Sequence, residues 1–236
     1  MTGNKAPFRM YTKNFLLQCA SSPASFEKPK DLSGMLEEFP GLKRHASHSL
    51  VIQITQEEIK EKACQIQKQV IGHDVGMADY IVKTEELHIT LAMLQIEDAE
   101  GIEMVKKIIT DNADDLKGAI IRIGGISTFS QDHVLYAKVV TLPSDILDRL
   151  SSVIKKRVSQ CSQKVQLIET QQQEEYVHRM SLVHIPLKEA KTIPPDSYQK
   201  LSRLGAQHLN NIQLCVVDDK RRPDGFYNTL LDVIEN

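Results

Sequence analysis

The stretch Glu86-Leu87-His88-Ile89-Thr90-Leu91-Ala92-Met93-Leu94 sets an imidazole and a hydroxyl two residues apart in an apolar run. Extended chain has a side-chain period of two, so His88 and Thr90 share one face while Leu87, Ile89 and Leu91 take the other. An imidazole can move a proton near neutral pH, and a hydroxyl can donate to a phosphoryl oxygen. The pair therefore suits work at a phosphate. His45-Ala46-Ser47 has the same spacing in a polar region and reads as accidental. A second apolar run, Tyr176-Val-His-Arg-Met-Ser-Leu-Val-His-Ile-Pro186, offers a counterpart. If Met180 and Leu182 play the part of Ile89 and Leu91, Arg179 and Ser181 share the face opposite the core. His178 and His184 then fall on the core side unless a bulge shifts the register, because a one-residue slip exchanges the faces.

The elements that must position these residues follow from periodicity. Ser49–Ile54 reads as a strand, and Thr55 with Glu58 reads as a capping box for the helix that follows. That helix carries Ile59, Ala63, Ile66 and Val70 on one face. After Gly72–Gly76 comes the His88 strand. Asp98–Thr110 is a second amphipathic helix, with Ile102, Val105 and Ile109 inward. Strands Ala119–Ile123 and Val134–Val139 are joined by the loop 124–132. Pro143 and Ser144 start a helix with Ile146, Leu150, Val153, Ile154 and Val158 on its apolar face. A short strand Val165–Ile168, the polar loop Gln171–Glu175 and the strand Tyr176–Ile185 follow. A short helix is expected from Pro194-Pro195-Asp196. The closing strands Ile212–Val217 and Tyr227–Ile234 are joined by a turn containing Pro223-Asp224-Gly225, strong hairpin chemistry. The order of elements in the first half recurs in the second. The fold class is α+β: two antiparallel-rich lobes around a central cleft, with helices outside.

Composition narrows the functional classes. The chain has 236 residues, 41% hydrophobic and 25% charged, with a net charge of −2. It lacks the basic excess of a general nucleic-acid binder, so any nucleotide contact should be local. Cys19, Cys64, Cys161 and Cys215 are far apart, with no C-x-x-C and no histidine at ligand spacing. They read as reduced thiols of an intracellular protein, and neither a metal nor another cofactor is expected. No apolar run is long enough for a membrane helix. Residues 1–46 lack clear periodicity apart from a helical possibility over Asp31–Phe39, and read as an N-terminal arm preceding a domain at 47–236. Lys5, Arg9 and Lys13 in an acid-free start give a faint mitochondrial signal. A cytoplasmic or nuclear location is the expectation.

Four stretches together resemble the two-histidine (2H) phosphoesterases, and specifically the LigT-like nucleotide-binding domain of the gamma/delta A-kinase anchoring proteins. They are Ser49–Ile59, Leu87-His-Ile-Thr-Leu91, Gly125-Ile-Ser-Thr-Phe129 with Val134–Val139, and Asn211–Cys215 with Gly225-Phe-Tyr-Asn-Thr-Leu230. The likeness spans roughly residues 48–236. It implies a LigT-like 2H fold and a metal-independent site for 2′,5′-linked or 2′,3′-cyclic phosphodiesters. The family's second motif usually reads Pro-His-Leu-Thr, where this chain has His178-Arg179-Met180-Ser181. Serine keeps the hydroxyl. Arginine does not keep the chemistry, since guanidinium stays protonated.

The resemblance implies a phosphate site of His88, Thr90, Arg179 and Ser181, with Phe129, Tyr136 and His178 as substrate-binding candidates. The first reading is a binding module for a nucleotide (AMP-like) or the phosphate end of 2′,5′-oligoadenylate or RNA, with weak or no phosphodiesterase activity. A second is a working phosphodiesterase whose second histidine is His178 or His184. A third is a scaffold that uses only the fold. A monomer is expected, and no protein partner is indicated. His133, His208, His48 and the Arg221-Arg222 pair read as surface residues.

Overall fold

The computed structural model describes residues 46–112, 116, 118–161, 164–168 and 178–234. The arm expected over 1–46, apart from Ala46, and the loop Gln171–Glu175 lie outside the described residues, as does Cys19. Among the described residues nine strands form one sheet: β1 (His48–Gln53), β2 (His88–Ile96), β3 (Ile120–Phe129), β4 (Val134–Leu142), β5 (Val165–Leu167), β6 (Arg179–His184), β7 (Gly205–His208), β8 (Asn211–Val216) and β9 (Thr229–Ile234). Their order is β7-β3-β4-β6-β2-β1-β8-β9, with β5 paired to β2. Every described pairing between these strands is antiparallel. The two expected lobes are thus the two ends of a continuous sheet, joined where Ile89 of β2 pairs with Met180 of β6.

Helices α1 (Glu57–His73), α2 (Ala99–Asn112) and α3 (Ile146–Gln160) cover one face of the sheet. The apolar stripe of α1 is the expected one, with Ile59, Ala63, Ile66 and Val70 buried. Its start is not capped by Thr55. Gln56 occupies that position without a side-chain bond, and Glu57 and Glu58 in the first turn face the helix's positive end. Ile89, Leu91, Met180 and Leu182 are almost wholly buried, each contributing roughly 1.5–3 kcal/mol by leaving water. Gln67 is the buried polar exception on α1. Its amide donates to the carbonyls of Val82 (2.7 Å) and Leu182 (2.9 Å), which ties the helix to β6 and to the chain leading into β2.

Four local differences from the sequence expectation have physical causes. The hairpin loop shrinks, because a bulge at Gly124/Ile126 with Gly125 at φ 69° lets β3 continue to Phe129. The turn is then Ser130–Asp132, all three at positive φ. The side chain of His133, expected at the surface, is buried and its Nδ1–H faces the carbonyls of Ser130 (3.0 Å) and Gln131 (3.1 Å). The short helix expected at Pro194 is a single turn, closed by Ser197, whose N–H and hydroxyl both donate to the Pro194 carbonyl (3.0 and 2.7 Å). Strand β7 carries little β signal in Gly-Ala-Gln-His. Gly205 is needed there because a Cβ would come within 2.7 Å of Ile59 on α1. No helix among the described residues is long and apolar enough to cross a membrane.

Candidate functional site

The Ile89–Met180 pair fixes what stands on the sheet face away from the helices. One step along antiparallel strands in either direction sets His88 opposite Ser181 and Thr90 opposite Arg179. Neighbouring registers extend both rows. Tyr136 pairs with Ser181, and Gln53 pairs with His88, giving the row Tyr136–Ser181–His88–Gln53 across four strands. Lys138 pairs with Arg179 and Val51 with Thr90, giving the parallel row Lys138–Arg179–Thr90–Val51. His88, Thr90, Arg179 and Ser181 are each partly exposed, while Ile89 and Met180 between them are buried. The structure therefore brings together the four residues expected at the phosphate.

His88 is held in a defined state. Its Nδ1 lies 2.7 Å from the carbonyl oxygen of Glu86. A carbonyl only accepts, so Nδ1 carries the hydrogen and Nε2 keeps its lone pair in the neutral ring. Desolvation holds the imidazole below its ordinary range, outweighing the opposing pull of the Glu86 carbonyl and carboxylate. The ring packs edge-on to Tyr227 (centroids 5.2 Å apart) and Phe226 (6.5 Å). The result is a neutral base with its acceptor nitrogen set by a backbone bond.

Arg179 is arranged differently. Its Cζ stands 3.5 Å from the centroid of the Phe129 ring and 5.9 Å from that of Tyr136, and the two rings meet edge to face at 5.5 Å. Phe129 thus has one face covered by the guanidinium and holds Arg179 in place. A fixed cation therefore stands on the row of Thr90.

The two histidines proposed as substitutes are placed on opposite faces of the sheet. His178 is buried, with Nε2 3.3 Å from the Asp148 carboxylate on α3. It belongs to the seam between sheet and helix and not to the exposed face that carries His88. Burial lowers its affinity for a proton, and Asp148 opposes that shift. His184 is affected by a bulge: Leu135 pairs with Val183 but Tyr136 pairs with Ser181, so Leu182 is the extra residue. This carries His184 onto the side of Ser181 in register, but opposite Val134. It stands next to the Ile81–Val183 bridge, beyond the β2–β6 pair.

Several residues of this face carried no distinct sequence signal. Gln53 Oε1 accepts from Gln213 Nε2 and Arg222 Nη2, both at 3.0 Å, and Gln213 also donates to Asp232 (3.0 Å). Arg222 binds Asp224 (2.6 Å), and Arg221 binds Glu86 (2.9 Å). The Arg221-Arg222 pair is thus built into the domain, which corrects its reading as surface charge. His48 is likewise buried in β1. The signal available was the Pro-Asp-Gly turn, which had to fold against something. Gly225, at φ 85°, brings that turn so close to the 84–86 segment that a Cβ would lie 3.1 Å from Glu85. Among the described residues no group of three or more His, Cys, Asp or Glu side chains is placed to hold a metal.

This antiparallel sheet with helices on one face is the LigT-like 2H phosphoesterase architecture, α+β in class. Residues 46–233 match the family model described as the AKAP7 2′5′ RNA ligase-like domain, and the chain belongs to that family. No curated protein matches the sequence. Among solved structures, TT0787 of Thermus thermophilus is similar at a TM-score of 0.59 and 17% identity, over 80% of this chain and 97% of that one. Escherichia coli LigT complexed with 3′-AMP is similar at a TM-score of 0.51 and 17% identity, over 79% and 96%. The MHV ns2 PDE domain is similar at a TM-score of 0.50 and 12% identity, over 72% and 99%. At these identities the structural likeness shows the shared fold.

Proposed function

We propose that this domain binds a nucleotide or RNA-end phosphate on the face between β2 and β6, with weak or no phosphodiester turnover. The observation that carries the reading is the register that sets His88 beside Ser181 and Thr90 beside Arg179. In that arrangement Thr90 and Ser181 donate to non-bridging oxygens, and Arg179 meets the phosphate with charge and in-plane N–H groups. His88, neutral and with Nε2 as acceptor, takes a proton from a ribose hydroxyl or water. Facing it on β6 stand Ser181 and Arg179 in place of an imidazole to protonate the leaving oxygen, and the loss of one general acid/base costs about 10²–10⁴-fold in rate. That E. coli LigT has been crystallised with 3′-AMP supports a nucleotide as the ligand.

Calorimetry with AMP, alongside turnover of 2′,5′-oligoadenylate and 2′,3′-cyclic nucleotides, tests this. Binding without turnover in the native protein, lost in Thr90→Ala/Ser181→Ala, is the expected result. A second reading, an active metal-independent phosphodiesterase, gains from the bulge that turns His184 toward this side. Turnover by the native protein that vanishes in both His88→Ala and His184→Ala would establish it instead. Absence of both binding and turnover would leave a scaffold.

A further inference from the structure

We propose that Arg221 is a positioning residue for His88, fixing its tautomer and ring orientation from the closing loop without touching the ligand. The inference rests on the reading of His88 as the reactive imidazole. Four contacts close a ring around that side chain. His88 Nδ1–H donates to the Glu86 carbonyl at 2.7 Å. The carboxylate of the same Glu86 accepts from Arg221 Nε at 2.9 Å. The Arg221 guanidinium lies over Tyr227, with Cζ 4.7 Å from the ring centroid. Tyr227 in turn stands edge-on to His88 at 5.2 Å. One planar cation therefore governs both the residue that supplies the imidazole's acceptor and the aromatic wall that stops the ring from turning.

The rest of the loop makes the brace rigid. Arg221 Nη1 donates to the carbonyls of Asp218 (2.8 Å) and Lys220 (3.0 Å), so the guanidinium is anchored at its far edge as well. Arg221 and Tyr227 also form a backbone bridge. The close approach of Gly225 to Glu85 presses the loop onto the segment that precedes His88. Glu86 is only 13% exposed in its side chain and Arg221 23%, so the pair is shielded from solvent screening. Lys83 lies 3.8 Å from the same carboxylate oxygen, at the outer side. A lysine in place of Arg221 would keep the charge but could not stack on Tyr227 while reaching Glu86 on one side and the Asp218 and Lys220 carbonyls on the other.

The mechanical consequence concerns the Nδ1–H bond. If Arg221 releases the Glu86 carboxylate, the 84–86 turn loses its anchor, and the carbonyl that selects the Nδ1–H tautomer is free to shift. His88 would then sample both tautomers, and its acceptor nitrogen would no longer be fixed on one edge. The ionisable groups placed against the ring are Glu86 on the 84–86 turn and Tyr227, with Arg221 behind both and Arg179 on the neighbouring row of β6. Removing Arg221 takes away a cation and bares the Glu86 carboxylate, and both changes favour the protonated ring.

The test is ¹⁵N spectroscopy of the histidine side chains in the full chain, for the native protein, Arg221→Ala, Arg221→Lys and Glu86→Gln. The native protein should show His88 as a single Nδ1–H tautomer. Arg221→Ala should show mixed tautomers and an upward-shifted titration. Glu86→Gln should also mix the tautomers, and Arg221→Lys should mix them while restoring part of the titration. Amide spectra report whether each variant is folded, and Arg221→Lys with Glu86→Gln decide the matter if Arg221→Ala is not. A folded set in which His88 keeps one tautomer and its native titration overturns the proposal. AMP calorimetry on the same samples separates the two claims: absent binding in the native protein would defeat the reading of the site, while the tautomer signal still judges the brace.

Discussion

The guanidinium carbon of Arg179 stands 3.5 Å above the ring of Phe129, so the cation in the second motif is held by an aromatic residue from a neighbouring hairpin. A cation–π contact of this kind is worth about 0.5–2 kcal/mol. Phe129→Leu, which keeps an apolar side chain but removes the ring, should therefore weaken AMP binding by about 2–30-fold. Calorimetric titration checks it, and an unchanged affinity would show that the ring does not help place the charge.

On the proposed reading, exchanging that cation for an imidazole should supply the second half of an acid/base pair. Arg179→His is expected to raise turnover of 2′,3′-cyclic or 2′,5′-linked substrates, by up to about 10²–10⁴-fold. Adding His88→Ala to that variant should remove the gain. Single-turnover assays with both variants decide this, and a gain that survives His88→Ala would place the chemistry elsewhere.

His178 should matter for folding and not for the ligand. It is buried against α3 beside Asp148, on the side away from His88. His178→Gln is expected to lower stability by roughly 1–3 kcal/mol, the usual cost of disturbing a buried polar partner. AMP affinity should stay within about twofold. Urea unfolding and calorimetry on one preparation give both values.

Stability should fall on mild acidification. Burial lowers the proton affinity of His48, His88 and His178 from the ordinary 6.5. Between the lowered native values and 6.5, the unfolded chain holds more protons than the native one, so unfolding is favoured as pH falls through that window. Above 6.5 the effect is complete and stability no longer changes on this account. The urea midpoint should drop as pH is lowered from 7 toward 5. His178→Gln should reduce the slope, and an unaltered slope would exclude His178 from it.

Gly124 is the point where the β3–β4 end of the sheet tolerates least. A Cβ there would lie 2.3 Å from the Ser202 carbonyl oxygen and 2.7 Å from the Arg203 Cα, both backbone atoms. Relief requires moving the chain itself. Gly124→Ala should cost about 1–3 kcal/mol, comparable to overpacking a core. A shift in thermal midpoint without loss of the native amide spectrum would show it.

The sequence by itself determined which residues share a face. Alternation in Leu87-His88-Ile89-Thr90-Leu91 and in Arg179-Met180-Ser181-Leu182 sorts apolar from polar side chains, because burying Ile89 and Met180 is worth far more than any local preference. It also determined the amphipathic helices and the family, since these are properties of local pattern. Tertiary structure alone decided the rest. No local signal says that Ile89 pairs with Met180, over ninety positions away, or that this pairing aligns a histidine with a serine and a threonine with an arginine. Nor could the bulge at Leu182 be read from the chain, since it is a matter of how β6 pairs with β4. The roles of Arg221 and Phe129 belong to the same class. A charged residue in a turn and an aromatic in a hairpin look alike whether solvated or built in. Their meaning is set by partners that only folding brings within a few ångströms, where desolvation makes an ion pair or a stacked cation strong enough to hold a neighbour still.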